Sequence, residues 1–262
     1  MLKIFYNFLI ILLYIPYIFI IFFRRFINKE HNKKYKEKIF TSNFKRPEGL
    51  LLWFHVASIG EFKSILPIID FYLKQNIKNN FLITTVTLSS FNELKKKYGS
   101  NNRVYHQFLP YDFKFLINDF FKNWRPDIVS FVDSEIWPNF ILKIKEEKIP
   151  FVLLNARITK RSFLRWNILE KLSNEIFKSF SLCISSNKNT SDYLKILGAQ
   201  NIKYFGNIKF CSTVENKASE NEQFKSILNK KVWCAVSTHA NEENFCGKVH
   251  GIVKKSEKEV LT

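Results

Sequence analysis

Four polar clusters in this chain carry side chains suited to moving protons and holding anions. They are Ser58-Ile59-Gly60-Glu61, Asp133-Ser134-Glu135, Asn155-Ala156-Arg157 and Gly206-Asn207-Ile208-Lys209. Carboxylates such as Glu61 and Glu135 can accept or deliver a proton, and a lysine such as Lys209 can hold a phosphate as a point charge. Each cluster also has an ordinary structural reading. A glutamate in a helix's first turn commonly pairs with the helix dipole, worth ~0.3–1 kcal/mol. Asp133 and Glu135 could form an N-cap, Asn155 and Arg157 could tie a loop, and Lys209 could be one more solvated lysine. Repetition favours chemistry, because each cluster closes a short apolar run.

Those runs alternate with helical periodicity. Leu50–Val56, Phe81–Val86, Val104–Phe108, Ile128–Val132, Phe151–Leu154, Leu182–Ile184 and Ile202–Phe205 read as strands. Between them lie amphipathic stretches, among them Phe113–Trp124, Glu135 to about Glu147, and Phe163–Phe177. Continuous apolar strands alternating with amphipathic helices specify a parallel sheet covered on both faces, so the fold class is α/β, doubly wound. In such sheets ligands bind outside the carboxyl ends of the strands, where the four clusters fall. The polar segment from Asn216 to Lys230 reads as a linker. Beyond it, Val232–Val236 is a further apolar strand, Asn241 to about Lys255 a helix, and Val260-Leu261 the beginning of another strand.

Composition narrows the function. Twenty-eight Phe in 262 residues, with abundant Ile and Leu, can bury a substantial core and exclude a disordered chain. Four scattered cysteines and five histidines without paired zinc spacing exclude a disulfide scaffold and argue against metal. Neither GxGxxG nor GxxxxGK[ST] occurs, so the dinucleotide and P-loop phosphate signatures are missing. The net charge of +18 comes mostly from lysine spread along the chain. Part of that fits a compositional bias. The rest suits an anionic lipid or phosphorylated substrate better than a nucleic acid, whose readers cluster arginine.

The run from Ile4 to Phe23 holds no charge and is followed at once by Arg24 and Arg25, then Lys29, Lys33, Lys34, Lys36 and Lys38. Twenty helical residues span roughly 30 Å, a bilayer core. The apolar run is too long for a signal peptide and lacks small residues at its end. It is expected to be an uncleaved, single-pass transmembrane helix, with the rest of the chain on the cytoplasmic side and the basic stretch against anionic headgroups.

Taken in order, His55-Val56-Ala57-Ser58-Ile59-Gly60-Glu61, Ser134-Glu135-Ile136-Trp137-Pro138, Leu154-Asn155-Ala156-Arg157, Gly206-Asn207-Ile208-Lys209-Phe210 and Ser237-Thr238-His239-Ala240-Asn241-Glu242-Glu243 resemble the motif series of the Kdo transferases. These bacterial enzymes add 3-deoxy-D-manno-octulosonic acid (Kdo) to the lipid A precursor. The resemblance implies a GT-B glycosyltransferase with two Rossmann-like domains, the first for the lipid acceptor and the second for CMP-Kdo. It implies transfer of Kdo to the 6′-hydroxyl of lipid IVA at the bacterial inner membrane, with inversion and without cofactor or metal. Glu61 matches the family's general base. Glu135 and Lys209 match residues that support the transition state. Ser58, Gly60, Asn155, Arg157, Asn207, Ser237, Thr238, His239 and Glu242 match substrate-binding positions. Asp133 stands where the family usually has Glu, one methylene longer.

The organisation expected is therefore an anchor at 4–23, a basic juxtamembrane segment at 24–47, an acceptor domain at 48–212, a linker at 213–230 and the start of a donor domain at 231–262. The family's later Pro-Arg-His and Asn-Pro-Leu-Glu elements do not occur, so the sequence reads as truncated, with most of the donor site missing and tight CMP-Kdo binding not expected of this polypeptide alone. A different membrane-anchored GT-B transferase, or a non-catalytic protein binding anionic lipid, remain the alternatives.

Overall fold

The computed structural model describes residues 2–41, 43–75, 79–211, 231–257 and 259–261. The chain divides into two compact units, Met1–Thr213 and Val214–Thr262.

The first unit is built on seven parallel strands: β1 (Leu50–Val56), β2 (Asn79–Thr85), β3 (Val104–Phe108), β4 (Ile128–Val132), β5 (Phe151–Ala156), β6 (Leu182–Ser185) and β7 (Ile202–Tyr204). Their order across the sheet is β3-β2-β1-β4-β5-β6-β7. The chain therefore winds outward in one direction from β1 to β3, then restarts beside β1 at β4 and winds the other way. The loops leaving β1 and β4 start from that reversal in strand order, the usual ligand position in open α/β sheets.

Helices cover both faces, as the apolar strands require. On one face α3 (Ile59–Lys74) and α4 (Leu88–Tyr98) bury Phe62, Ile65, Ile69 and Leu94 against Phe54, Val56 and Ile83. On the other, α5 (Lys114–Trp124) and α6 (Pro138–Glu146) pack aromatic on aromatic. Trp53, fully buried, meets Phe120, Phe121, Phe131 and Phe140 at centroid separations from 4.7 to 5.9 Å. Each such ring contributes ~1.5–3 kcal/mol by leaving water, so this face is the firmer platform. The expected helix over Phe163–Phe177 is two, α7 (Lys160–Ile168) and α8 (Glu170–Phe177), interrupted at Leu169. α9 (Lys188–Ile196) precedes β7.

The amino-terminal segment departs from expectation. The apolar run forms α1 (Leu2–Leu12) and α2 (Tyr14–Phe26), and Tyr6–Leu12 and Tyr14–Phe26 are bent by 47° where they meet. No single helix among the described residues is long and apolar enough to cross a membrane; the bent pair qualifies only by length and composition. One side of the pair is docked on the domain. Ile10 packs with Phe113 and Leu116, Ile21 with Tyr35 and Ile39, and the Tyr14 hydroxyl donates to the Ile39 carbonyl at 2.8 Å.

The basic stretch that follows is also partly internal. Lys38, 3% exposed, pairs with buried Glu30 and donates to the Val86 carbonyl at 2.8 Å. Lys34 lies 3.4 Å from Glu37 and donates to the His106 carbonyl. Burial lowers the pKa of both lysines, against the pull of the partnering carboxylates. Two members of the expected headgroup collar thus tie a short 3-10 helix (Lys34–Lys38) to the sheet edge instead, while Lys29, Lys33 and Lys36 remain exposed.

In the second unit, α10 (Glu242–Ser256) matches the expected helix. Val232–Val236 does not form a strand: only Val232 pairs, in a parallel bridge with Leu261. Residues 212–230, where the linker was expected, lie outside the described residues.

Candidate active site

Glu61 sits in the first turn of α3, 9% exposed. Ser58 is the N-cap of that helix, its hydroxyl accepting the Glu61 backbone N–H at 3.2 Å and donating to Glu61 Oε1 at 2.8 Å. The Ala57 backbone N–H donates to Glu61 Oε2 at 2.7 Å. This is a variant of the capping box, written in the sequence as Ser-x-x-Glu, in which the carboxylate takes the N–H of Ala57, one residue before the N-cap. The structural reading and the chemical one share one side chain. Burial raises the Glu61 pKa; the Ala57 and Ser58 hydrogen bonds oppose the rise, and the nearby charges of Glu135 and Asp133 add to it. A buried carboxylate with a raised pKa is a stronger proton acceptor once ionised. Gly60 is exposed, and a Cβ there would meet only Ser58 Oγ at 3.9 Å. The fold itself does not need glycine at this point, and its bare backbone leaves the helix start open.

Glu135 lies in the loop after β4, not on the helix expected for it, which begins only at Pro138. Its Oε2 accepts the Trp137 indole N–H at 2.8 Å and lies 3.2 Å from His55 Nε2. His55 is fully buried on β1, and its Nδ1 is 3.0 Å from Thr84 Oγ1 on the adjacent strand. Thr84 Oγ1 in turn accepts the Trp53 indole N–H at 2.8 Å. One assignment satisfies every group: the Thr84 hydroxyl donates to Nδ1 and the Nε2 proton goes to Glu135. Burial works against the Glu135 charge, but the His55 and Trp137 contacts outweigh it and hold the carboxyl below its ordinary range. Glu61 and Glu135 are thus pushed in opposite directions, the pattern that separates a proton acceptor from a fixed anion.

The third group comes from the far edge of the sheet. A short 3-10 helix, Ile208–Cys211, follows β7 and packs against α3. Asn155 Oδ1 accepts the Ile208 backbone N–H at 3.1 Å, and Asn207 Oδ1 accepts that of Lys209 at 3.0 Å. Lys209 Nζ then reaches Asp133 Oδ2 at 2.8 Å. Asp133 and Asn155 both adopt positive φ, 65° and 54°, an uncommon conformation that Asn and Asp tolerate best. Arg157 contributes through its backbone: its N–H donates to the Asp133 carbonyl and its own carbonyl accepts the Ser134 hydroxyl, while the side chain is exposed.

The structure therefore brings Ser58, Gly60, Glu61, Asp133, Glu135, Asn155, Arg157, Asn207 and Lys209 to one end of one sheet. Ser237, Thr238, His239 and Glu242 form their own turn in the second unit, where the His239 N–H donates to Glu242 Oε2 at 2.7 Å and Ser237 has φ 60°. Among the described residues, no group of three or more His, Cys, Asp or Glu side chains is arranged to hold a metal ion.

Two contributors carried no role in the sequence reading. His55 was embedded in an apolar strand. Asp112, 1% exposed, accepts the backbone N–H groups of Asn139 and Phe140 at 2.9 and 3.0 Å and so caps α6, fixing the Trp137-Pro138 step beside Glu135. No local signal marks it, since Asp112 lies 26 positions before Pro138, the first residue of the helix it caps.

The sequence profile of the 3-deoxy-D-manno-octulosonic acid transferase (kdotransferase) amino-terminal domain matches residues 22–212. The chain belongs to the Kdo transferase family. A Kdo transferase of Rickettsia bellii is 32% identical over 259 residues, covering 98% of this chain and 60% of its own. A probable mitochondrial Kdo transferase of Arabidopsis thaliana is 31% identical over 242 residues, covering 89% of this chain and 54% of its own. The chain thus spans somewhat more than half the length of these Kdo transferases. Among solved structures, a UDP-N-acetylglucosamine 2-epimerase superposes with TM-score 0.56 at 13% identity, covering 81% of this chain and 62% of that one. A putative epimerase of the same kind from Listeria monocytogenes gives 0.55 at 13%, covering 82% and 62%. These likenesses place the Kdo transferase sheet among GT-B-like α/β folds.

Proposed function

We propose that this chain carries the acceptor half of a membrane-associated, inverting glycosyltransferase that moves Kdo from CMP-Kdo to a hydroxyl of the lipid A precursor lipid IVA. The observation that carries the reading is the grouping at one sheet end of Glu61, held by the Ser58 hydroxyl and the Ala57 N–H, Glu135, held by the Trp137 indole beside buried His55, and Lys209 on Asp133. A sugar hydroxyl is too weak an acid to attack unaided at neutral pH. Glu61 takes its proton as the new C–O bond forms at the anomeric carbon; the bond to the CMP phosphate breaks, and its electron pair departs with CMP. Attack from the face opposite the leaving group inverts the centre. Glu135, held ionised by His55 and Trp137, stabilises the positive charge that develops on the sugar. Lys209, positioned by Asp133 and Asn207, answers the negative charge of the donor's carboxylate or phosphate, as do the first N–H groups of α3. Ser58 and Gly60 shape the acceptor side, and the Ser237–Glu242 turn serves the donor. No metal or cofactor has a role in this scheme.

Because this chain supplies the acceptor half, the test joins it to the donor half of a Kdo transferase relative: membranes holding that full-length enzyme should transfer labelled Kdo from CMP-Kdo to lipid IVA. Glu61→Gln should lower the rate by roughly 10²–10⁴-fold while leaving lipid binding intact. Retained transfer by the variant would move the base elsewhere, with Glu135 next. No transfer by the wild type would favour a different donor or a purely lipid-binding role.

A further inference from the structure

A cavity of about 840 Å³ lies in the groove between α5 and α6. That volume is in the range of small-molecule sites, roughly 300–1,000 Å³. None of the residues of the candidate active site lines it. Both helices follow parallel strands, so both begin at the sheet end that carries Glu61 and Glu135 and run away from it.

One row of α5 side chains borders the groove. Lys114, Asn118 and Lys122 line it at intervals of four residues, and Arg125, the C-cap of α5, stands beyond them. Lys114 and Lys122 are about 12 Å apart along the helix, at 1.5 Å per residue. Lys114, Lys122 and Arg125 are exposed and meet no carboxylate at ion-pair distance among the described residues. The acids of the lining are already matched: Lys143 lies 3.5 Å from Glu146 and 2.7 Å from Glu147, and Glu175 has a partner of its own. Uncompensated positive charge therefore stands at both ends of the groove, with buried Ile117 and Phe121 between.

Asn139, 4% exposed, lines the same groove at the start of α6. Its Nδ2 donates to the Asp112 carbonyl at 2.7 Å, which fixes the amide orientation. Oδ1 is left buried, with no hydrogen-bond partner among the described residues. Folds rarely keep a buried acceptor that no donor fills. The donor it lacks is an O–H or N–H supplied from the groove, since the other edge of the amide is turned to Asp112.

Two separated cationic ends match two anionic groups, and the Arg125 guanidinium suits a phosphate. The Asn139 oxygen requires a hydroxyl close to one of them. We propose that the α5–α6 groove binds a small, water-soluble sugar bisphosphate, apart from the site of transfer. Trp137, the indole donor to Glu135, stands just before Pro138 and Asn139, so an occupant bears on the segment that holds that carboxylate. The assignment does not depend on the transfer chemistry, because its test involves no turnover.

The test is calorimetric titration of the full chain, kept in nonionic detergent, with fructose 1,6-bisphosphate as the probe. Binding should saturate at one site per chain. Lys122→Gln/Arg125→Gln should weaken it roughly tenfold or more with unchanged circular dichroism, since both side chains are exposed. Lys209→Gln, whose cation belongs to the other site, should leave probe binding unchanged. Hexane-1,6-diol bisphosphate carries two phosphates without the sugar hydroxyls and should bind roughly three- to tenfold more weakly. Equal binding of the two probes would mean that charge alone is read and would overturn the proposal. So would a loss caused by Lys209→Gln and not by the double variant, or no saturation by roughly 10 mM.

Discussion

His55 Nε2 lies 3.2 Å from Glu135 Oε2, and no water-accessible surface remains on the histidine. β1 therefore supplies both the positioner of one carboxylate, His55, and, directly after Val56, the Ala57-Ser58 turn that leads to the other, Glu61. His55→Phe should leave Glu135 without its buried donor and the Thr84 hydroxyl without its acceptor, costing ~1–3 kcal/mol. The diagnostic readout is the Glu135 carboxyl, whose pKa should rise in a carbon-13 titration. An unchanged titration would show that Trp137 alone holds the anion.

Glu61 gives a pH dependence with a definite sign. Its folded pKa is raised, chiefly by burial, so kcat should fall as pH drops through that raised value and not through the ordinary glutamate range. For stability the sign reverses: a carboxyl with a raised folded pKa favours the folded state while protonated and loses that advantage as pH climbs through the folded value. Glu61→Gln should therefore be inactive yet melt no lower than the wild type at neutral pH, measured by calorimetry.

Asp112 is the more strongly shifted group, its pKa pushed up to about 7 by burial against the opposing Asn139, Tyr6 and Phe140 hydrogen bonds. Its stabilising effect is complete below the ordinary aspartate range and is lost as pH rises through about 7. Unfolding free energy should decline across that window by up to ~1.4 kcal/mol per pH unit. Asp112→Asn should flatten the decline. A slope unchanged in the variant would assign it to another group.

Lys38 and Glu30 are buried together. Lys38→Met should destabilise by ~1–3 kcal/mol, since it strips one of the two cationic partners from buried Glu30 and leaves only Arg24. Adding Glu30→Gln should recover much of that loss in urea melts. Failure to recover would mean that the Lys38 contact to the Val86 carbonyl carries the stability.

The sheet was legible because it rests on local pattern. Strands Leu50–Val56, Val104–Phe108 and Ile128–Val132 have the residues expected of them, since continuous apolar runs between helices leave little choice of boundary. The rim followed from the rule that strand ends carry ligands. Three features were hidden. The Ile136/Phe140 spacing extends a helical period backwards past its true start at Pro138, because periodicity cannot register a proline at the first helical position. The His55–Thr84–Trp53 chain joins two strands, and no window along the sequence contains it. Hydropathy also reads Tyr6, Tyr14 and Tyr17 as ordinary members of an apolar run, whereas their hydroxyls and ring edges dock the helices on the domain.

The Lys209–Asp133 contact joins residues 76 positions apart, and the segment bearing Lys209 is clamped by Asn155 only after β7 has been laid down. During synthesis the crevice thus stays without its cation until nearly the whole first unit has left the ribosome. Such late, non-local closure is the slow kind of folding event. A nascent chain stalled before Lys209 would carry Glu61, Asp133 and Glu135 without the ammonium that meets Asp133 in the finished fold, so the charge at this end of the sheet is set last.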